Sequence, residues 1–373
     1  MNDKKNAILT IGILASMILI FTVADFFRED RLFSETENRI LTSRPEFSKE
    51  ALLDGTYTED YENYVTDQFV GRDKWIALKT VTDILMQKKE INGIYLGEDG
   101  YLIEQHKPED YTSELEQQKQ QLLEKLVKRW NAKVMLVPTA DNILTDKMPA
   151  NAAYYDETRL LADVKELVGE DNYIDVYSEL WEHSDEEIYY RTDHHWTSLG
   201  AYYGYEAWRK NVKRLPLVRD VEGMETVTEN FLGTLHSRIN LPMEGDAIQI
   251  FPETVAKPVT VTYDFDRTTD SFYEEKHLDT KNQYGYFLDD NHAFAEIQTS
   301  GYHNGKTLFV IKDSYANSML PLLAQHYEKI YVLDLRYFNG RLFSFMEQYV
   351  SEKTDVLVLY NCIHFLEDFK YVE

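Results

Sequence analysis

The sequence is poor in cysteine: Cys362 is the only one among 373 residues. An intrachain disulfide needs two cysteines, so the fold must hold without one. The apolar run Val356-Leu-Val-Leu-Tyr360 just before Cys362 predicts a buried strand, and we interpret the thiol as an inert core group rather than a nucleophile. The spacings His-x-x-x-His and His-Glu-x-x-His are also missing, which disfavours a metal site.

Basic side chains are scarce relative to acidic ones. The chain has 39 Lys and Arg against 65 Asp and Glu, a formal net charge of −26. Non-specific nucleic-acid binding depends on basic side chains that neutralise phosphates, so we expect no nucleic-acid partner. The same charge weakly favours a neutral glycan over a polyanionic one. A hydrophobic content of 43% with 13% aromatic residues predicts a folded protein.

Charge is absent from Ala7 to Ala24, a run long enough to span a bilayer. Lys4 and Lys5 precede the run, which predicts a cytoplasmic N-terminus and an extracytoplasmic chain after about residue 28. Phe26 and Phe27 would sit at the far interface. A cleaved signal peptide is the alternative, with Thr22-Val-Ala24 as its small-residue site. We favour an uncleaved, single-pass anchor in the cell membrane.

The pattern along the chain predicts three parts. Residues 1–28 form a cytoplasmic tip and transmembrane anchor. Residues 29–90 form a helical membrane-proximal segment packed on the body, because apolar residues recur at three and four over 56–69 and 73–87. Residues 91–373 form the main domain, which opens with a hairpin over 92–103 through Asp99-Gly100.

Helices alternate with apolar strands through the main domain. Alternation of this kind predicts a parallel sheet with helices on both faces. Residues 212–300 break the pattern and predict an inserted or edge β region that includes a strand over 259–263. The predicted strands are 133–137, 173–176, 307–311, 330–333 and 355–360. The predicted helices are 113–131, 157–168, a helix capped by Thr197 or Ser198 and ending near Lys210, 316–327 and 342–351.

Two short segments carry candidate chemistry. Asp193 and His195 lie two residues apart, so on extended backbone their side chains point to the same side. Ser314 follows a predicted strand and precedes a helix, where the N–H groups of Ser314 and Tyr315 would stabilise an oxyanion. A serine nucleophile needs a base and an orienting carboxylate, roles that suit His195 and Asp193. His194 faces the opposite side and would support the site indirectly.

Each segment alone has a simpler explanation. Asp193-His-His195 is also typical of a capping and turn cluster, or of a metal site that uses Asp193 with one or both imidazoles. Ser314 alone is typical of a helix N-cap. Placement of both segments at strand ends of one sheet favours a catalytic site. Further candidates for oxyanion or sugar contacts are Asn317, Asn361, Arg336 and Lys312; for the first three, a structural or merely exposed position is the favoured alternative. Tyr337 and Trp196 are candidates for stacking on sugar rings, Trp196 being equally suited to the core.

These motifs carry a family resemblance. The matching pieces are Glu37–Leu41, Tyr57–Arg72, Tyr95–Leu102, Val137-Pro138, Arg191–Thr197 and Lys312–Asn317. In their order and spacing the chain resembles the DHHW protein family and the related AlgX/AlgJ-like alginate O-acetyltransferases, a circularly permuted branch of the SGNH hydrolases. The resemblance implies a three-layer α/β/α fold and assigns Ser314 as nucleophile, His195 as base and Asp193 as orienter.

The chain departs from ordinary SGNH hydrolases at two places. Lys312 stands where a glycine usually precedes the Asp-Ser pair, and its Cβ would alter the oxyanion turn. A Gly-x-Asn-Asp block is missing as well, so the usual second oxyanion donors cannot be assigned.

The resemblance also implies an activity. It predicts an extracytoplasmic O-acetyltransferase that passes acetyl groups through an acyl-enzyme on Ser314 to hydroxyls of a cell-surface or secreted polysaccharide. A membrane-bound O-acyltransferase would supply the acetyl group, and no cofactor or metal is implied. The alternatives are a polysaccharide acetylesterase, which needs the same triad, and a non-catalytic glycan-binding scaffold of an export complex.

Overall fold

Residues 2–34, 36–37, 39–214, 223–251, 259–299 and 304–370 are described by a computed structural model of the chain, except for the side chains of residues 2, 3 and 26. Residue contacts divide the chain into two units: residues 1–88 with 237–242, and residues 89–236 with 243–373. The domain boundaries predicted at residues 28 and 90 stay predictions. Parts of the predicted β insertion, residues 215–222, 252–258 and 300, lie outside the described residues, as does the Phe26 side chain.

Helices and strands alternate along the described residues. The helices are α1 (Asn2–Phe26), α2 (Lys49–Asp54), α3 (Thr56–Gln68), α4 (Arg72–Leu85), α5 (Ser113–Trp130), α6 (Ala140–Ile143), α7 (Glu157–Val168), α8 (Val176–Glu182), α9 (Ser198–Asn211), α10 (Thr234–Ile239), α11 (Ala316–Leu323), α12 (Leu342–Met346) and α13 (Cys362–Asp368). The strands are β1 (Phe33–Ser34), β2 (Arg39–Ile40), β3 (Glu90–Ile91), β4 (Ile94–Leu96), β5 (Leu102–Glu104), β6 (Lys133–Val137), β7 (Glu225–Phe231), β8 (Asp246–Ile250), β9 (Val259–Tyr263), β10 (Arg267–Thr269), β11 (Phe294–Thr299), β12 (Thr307–Lys312), β13 (Lys329–Asp334) and β14 (Thr354–Asn361).

The first unit contains α1, whose stretch Lys4–Asp25 has a mean hydropathy of 2.5 and is long and apolar enough to cross a membrane. An N-terminal signal sequence has the same character. The two helices predicted over 56–69 and 73–87 are confirmed as α3 and α4.

A buried carboxylate joins the segment after α1 to α3. Asp67 accepts hydrogen bonds from Arg39 and from the N–H and hydroxyl of Thr42, the latter two at 2.9 Å. Hydrogen bonding from Arg39 lowers the pKa of Asp67, so the carboxylate stays ionised. Next to it, Gln68 Nε2 donates to the carbonyls of Arg31 and Thr42. These contacts explain why the polar residues Asp67 and Gln68 can be buried at the end of α3.

The second unit is built on a seven-stranded mixed sheet with the order β10-β9-β11-β13-β12-β14-β6. The strands β13, β12, β14 and β6 are parallel, whereas β11 pairs antiparallel with both β13 and β9. The parallel core agrees with the sequence pattern. The predicted inserted or edge β region is confirmed as β9, β10 and β11, which pair antiparallel at one edge of the sheet.

Helices cover both faces of this sheet. Successive side chains of a strand point to opposite faces. Accordingly, Met135 and Val137 of β6 pack into one apolar cluster with α8, α9 and α11, and Val134 and Leu136 pack into another with α5, α7, α12 and α13. The three-layer α/β/α arrangement is therefore confirmed. Cys362 is buried in the second cluster, and burial raises the pKa of its thiol.

One predicted strand is wrong. Residues 173–176 form only an isolated bridge between Tyr173 and Val134. The reason is local: the side chain of Asp175 accepts a hydrogen bond from Ser178 N at 3.1 Å, which caps α8 from Val176 onward. The predicted helices over 316–327 and 342–351 are shorter than expected and end at Leu323 and Met346.

Close packing of α9 on the loop before it holds that loop against the core. Thr197 caps α9 by accepting a hydrogen bond from Gly200 N, as predicted. Trp196 is fully buried, and a Cβ at Gly204 would lie 2.7 Å from two carbons of its ring. Only a residue without a side chain fits between this helix and the indole.

We therefore expect Gly204→Ala to lower the free energy of unfolding by about 1–3 kcal/mol, the usual cost of overpacking a core. Urea denaturation measures the change. Lys210→Ala on the same helix is the control: its exposed ion pair with Glu179 contributes at most about 1 kcal/mol. Equal stability of Gly204→Ala and the wild type would contradict this account of the packing.

Candidate active site

Ser314, His195 and Asp193 form a row of hydrogen bonds. His195 Nε2 lies 2.7 Å from Ser314 Oγ, and His195 Nδ1 lies 2.5 Å from Asp193 Oδ1. Ser314 follows β12 by two residues, and the other two residues lie in the bend that precedes α9. Ser314 lies 119 residues after His195 in the chain, and the fold brings their side chains into direct contact.

The Asp193 carboxylate is buried and accepts four hydrogen bonds. Its Oδ1 accepts from the N–H and the ring of His195, and its Oδ2 accepts from the N–H and hydroxyl of Thr234 at 2.8 and 3.0 Å. Burial alone would raise the pKa of Asp193, but the imidazoles of His194 and His195 and these hydrogen bonds outweigh it and lower the pKa. The carboxylate is therefore ionised and fixed in orientation.

The imidazole of His195 is held between two other rings. Tyr284 stacks on it at 3.7 Å between ring centroids and 10° between planes, and His194 lies 3.9 Å away on a tilted ring. The Tyr284 hydroxyl also donates to the carbonyl of Ser314 at 3.2 Å. Tyr284 thus fixes the imidazole and the serine turn together. Burial lowers the pKa of His194, whose Nδ1 lies 2.8 Å from the Thr234 hydroxyl.

A second carboxylate shapes the serine turn. Asp313 accepts from Tyr315 N at 3.0 Å, from Asn361 N at 2.8 Å and from His364 Nδ1 at 2.9 Å. The Tyr315 N–H is therefore occupied, which corrects its predicted role as an oxyanion donor. The N–H of Ser314, just before α11, has no acceptor among the described residues.

Three predicted ligand-contact residues have structural roles instead. Lys312 is 1% exposed, and its Nζ donates to Asn317 Oδ1 at 2.8 Å and lies 3.3 Å from Asp334. Arg336 pairs with the same Asp334, Nε to Oδ1 at 2.9 Å. Burial lowers the pKa of Lys312. These groups satisfy one another at the ends of β12 and β13, which corrects the predictions for Lys312, Asn317 and Arg336.

The two aromatic candidates differ. Trp196 belongs to the core, and its Nε1 donates to the carbonyl of Tyr315 at 2.9 Å, so its predicted role as a sugar platform is wrong. Tyr337 is 50% exposed, beside Arg336. Its stacking role stays a prediction, as do the contact roles of His194 and Asn361.

A cavity of about 310 Å³ adjoins the hydrogen-bonded row. His194, Tyr315, Asn361 and His364 line it next to the serine turn. The remaining wall contains His106, Tyr111 and the carboxylates of Glu104, Asp110 and Glu367. A small substrate in this cavity would meet hydrogen-bonding groups and carboxylates next to His194 and Tyr315, the chain neighbours of His195 and Ser314.

The metal alternative does not fit the geometry of Asp193, His194 and His195. Their candidate ligand atoms lie within 4.8 Å of one another. Two atoms that each lie about 2.1 Å from one tetrahedral ion are separated by more than about 3 Å. The 2.5 Å contact between Asp193 and His195 is a direct hydrogen bond, and His194 Nδ1 is bonded to Thr234.

Sequence reasoning missed four residues of this site. Thr234 and Tyr284 lie in parts of the insertion that carry no periodic signal. Asp313 lies within the segment Lys312–Asn317, but nothing in its sequence context indicates its hydrogen-bond partners. His364 had a signal in Asn361-x-x-His364, because Asn361 caps α13 by accepting from His364 N at 2.6 Å.

The pair of His364 and Asp313 predicts a pH effect. Burial lowers the pKa of His364, but the Asp313 carboxylate outweighs it and raises the pKa above its usual value of about 6.5. The raised pKa means that the pair stabilises the fold fully below about pH 6.5 and that this contribution is lost as the pH rises through the folded pKa. In NMR titrations, Asp313→Asn should lower the pKa of His364. Asp175→Asn, which keeps its helix cap, should leave it unchanged, and an unshifted His364 in Asp313→Asn would refute the pairing.

Comparison with known proteins places the chain in a family. A family model described as DHHW protein matches residues 99–333, more than half of the chain. No curated protein sequence matches significantly. A solved DHHW family protein from Eubacterium siraeum is 23% identical, with a TM-score of 0.60 over 74% of this chain and 93% of that chain. Bacillus cereus PatB1, solved with a sulfonyl adduct, is 20% identical, with a TM-score of 0.59 over 75% of this chain and 98% of that chain.

A more distant similarity is to the O-acetyltransferase domain of Pseudomonas putida AlgJ, at 15% identity and a TM-score of 0.42 over 74% of this chain and 92% of that chain. Identities this low concern the fold alone. The two structures with TM-scores of 0.60 and 0.59 agree with the α/β/α fold described above. Because the family model covers more than half of the chain, the chain belongs to the DHHW protein family.

Proposed function

We propose that the chain is an O-acetyltransferase that carries an acetyl group on Ser314 and passes it to a hydroxyl of a cell-surface or secreted polysaccharide. The observation that carries this proposal is the buried row Ser314–His195–Asp193, together with a cavity lined by the neighbouring residues His194 and Tyr315. A serine that already shares its proton with an oriented imidazole is prepared for nucleophilic attack. A purely glycan-binding scaffold has no need of such a row.

The geometry supports a two-step reaction. In the first step, Ser314 Oγ attacks the acetyl carbonyl while His195 Nε2 takes the hydroxyl proton and later returns it to the departing group. In the second, His195 takes the proton of a sugar hydroxyl, whose oxygen attacks the acetyl ester, and the Ser314 hydroxyl is restored. Asp193 stabilises the transient imidazolium. The Ser314 N–H, at the start of α11, would donate to the oxyanion in both steps.

The cavity beside Ser314 is the proposed acceptor site. The carboxylates of Glu104, Asp110 and Glu367 disfavour a polyanionic acceptor there, and the net charge of −26 acts in the same direction. We therefore expect a neutral glycan. If water took the acetyl group instead of a sugar, the same residues would make an acetylesterase.

The proposed setting is the outer face of the cell membrane. An uncleaved α1, preceded by Lys4 and Lys5, would anchor the chain with the rest outside. Acetyl groups made in the cytoplasm must then cross the bilayer, so a membrane-bound O-acyltransferase is the expected donor.

Replacement of the nucleophile tests the proposal. With an activated acetyl ester, Ser314→Ala should lose about 10³-fold or more of the acetyl-transfer rate, because no oxygen remains to carry the acyl group. Intact mass spectrometry should find an acetyl adduct on the wild type only. Ser318→Ala is the matched control, since this buried serine lies one turn further on and bonds Trp196 instead.

The same assay separates the alternatives. Full acetylation of a neutral glycan by Ser314→Ala would rule out the covalent mechanism. Acetate release by the wild type that is unaffected by added glycan, with no acetylated sugar formed, would favour the esterase over the transferase.

A second prediction concerns the support of Asp193. A Cβ at Gly233 would lie 2.3 Å from both Cβ and Oδ2 of Asp193, so Gly233→Ala must displace the carboxylate. We expect the acetyl-transfer rate to fall by about 10²-fold, the scale of a misplaced catalytic group. Thr234→Ser keeps both donors to Asp193 and should retain most activity. Wild-type rates in Gly233→Ala would show that the position of Asp193 is unimportant.

A further inference from the structure

We propose that the first unit lies against the lipid bilayer through an apolar stripe on α4, formed by Trp75, Leu78 and Leu85. The stripe would rest at the membrane–water interface beside α1. This inference depends on the part of the proposed function in which α1 remains as a membrane anchor, and it does not depend on the chemistry at Ser314.

The depth of Trp75 follows from its contact with α1. The ring of Phe21 lies 5.4 Å from that of Phe69 and 5.8 Å from that of Trp75, between centroids. Phe21 precedes Asp25, the first charged residue after the apolar run, by four residues. At a rise of about 1.5 Å per residue, it lies about 6 Å inside the end of the run. Trp75 and Phe69 therefore reach the level of lipid that surrounds the outer turn of α1.

Polar contacts fix this arrangement. Asp25 Oδ1 accepts a hydrogen bond from Val70 N at 2.8 Å. Arg28 donates to the carbonyls of Gln68 and Phe69 at 3.2 and 3.1 Å. These contacts hold the turn between α3 and α4 at the charged end of α1. The aromatic rings below that turn cannot swing away from the apolar helix without breaking them.

The stripe itself is exposed within the unit. Trp75 is 44% exposed, Leu78 54% and Leu85 78%, and their spacing of three and seven puts them on one face of α4. A concavity of about 400 Å³ beside Trp75 is lined by Val65, Phe69 and Ile76 as well. Large apolar side chains exposed together on one face of a helix indicate a binding face.

Lipid is the occupant that the position of the stripe favours. Trp75 touches a helix whose own apolar side chains are exposed along its length, including Ile8, Leu19 and Ile20 at 64% or more. The medium that surrounds these side chains of α1, which is lipid if α1 spans the membrane, therefore also contacts Trp75. Tryptophan prefers the interface between acyl chains and headgroups, and Lys79 at the border of the stripe can extend its ammonium to the aqueous side.

Two attachments therefore replace a single flexible tether. The unit is fastened by α1 across the bilayer and by α4 along its surface. Because the contact is apolar, we expect it in a zwitterionic bilayer, without anionic lipid.

Tryptophan quenching by brominated lipid tests the inference on the full chain. We would compare emission in phosphatidylcholine nanodiscs with and without bromine on the acyl chains. The wild type should lose up to about one fifth of its emission, the share of one tryptophan among five. Trp75→Phe should abolish this loss. Trp181→Phe is the control, because it removes a similarly exposed tryptophan, at 46%, that belongs to the second unit. This variant should show the same loss of emission in brominated lipid as the wild type.

Several outcomes would overturn the inference. Emission of the wild type that does not respond to bromine, or equal quenching of Trp75→Phe and the wild type, would exclude lipid at the stripe. Quenching of Trp75 by aqueous acrylamide in the nanodisc would show that the stripe faces water, either as free surface or as the binding face for a protein partner. An intact mass lacking α1 would remove the anchor and with it the lipid contact, whereas failure of the Ser314→Ala test would leave the contact unaffected.

Discussion

The buried carboxylate of Asp193 is the constraint on which the candidate active site depends. A carboxylate taken out of water is tolerated only where hydrogen bonds and charges compensate the loss of hydration. Four donors from His195 and Thr234 provide that compensation. Because His195 in turn contacts Ser314, one charge ties together the bend before α9, the start of α10 and the turn after β12.

This arrangement makes the insertion part of the site rather than an addition to it. Thr234 supplies half of the donors to Asp193, and Tyr284 covers the face of His195. Gly233 leaves the space that the carboxylate fills. A parallel sheet with only its βαβ units would bring Ser314 to the edge of the sheet but would leave the imidazole without its carboxylate in place.

Two further buried carboxylates, with different roles, lie at the C-terminal ends of the parallel strands. Asp313 occupies the N–H groups around Ser314 and leaves the N–H of Ser314 itself available. Asp334 binds Lys312 and Arg336 in a closed set of ion pairs. The ends of the neighbouring strands β12 and β13 thus carry carboxylates of the same chemistry. Their different partners give Asp313 a role in the serine turn and Asp334 a role in holding the strand ends together.

The sequence by itself determined the alternation of strands and helices, because apolar periodicity follows directly from which faces are buried. It also determined the pairing of Asp193 with His195, since residues two apart meet locally, and the turn that presents Ser314. It left open whether Trp196, Lys312, Asn317 and Arg336 contact a ligand or serve the fold, because the burial and the partners of a side chain are set by residues outside its own segment. The long-range fold alone brings the two Thr234 donors to Asp193: they come from the insertion, whose strand β11 pairs antiparallel with β13 and β9, and no local pattern encodes that register.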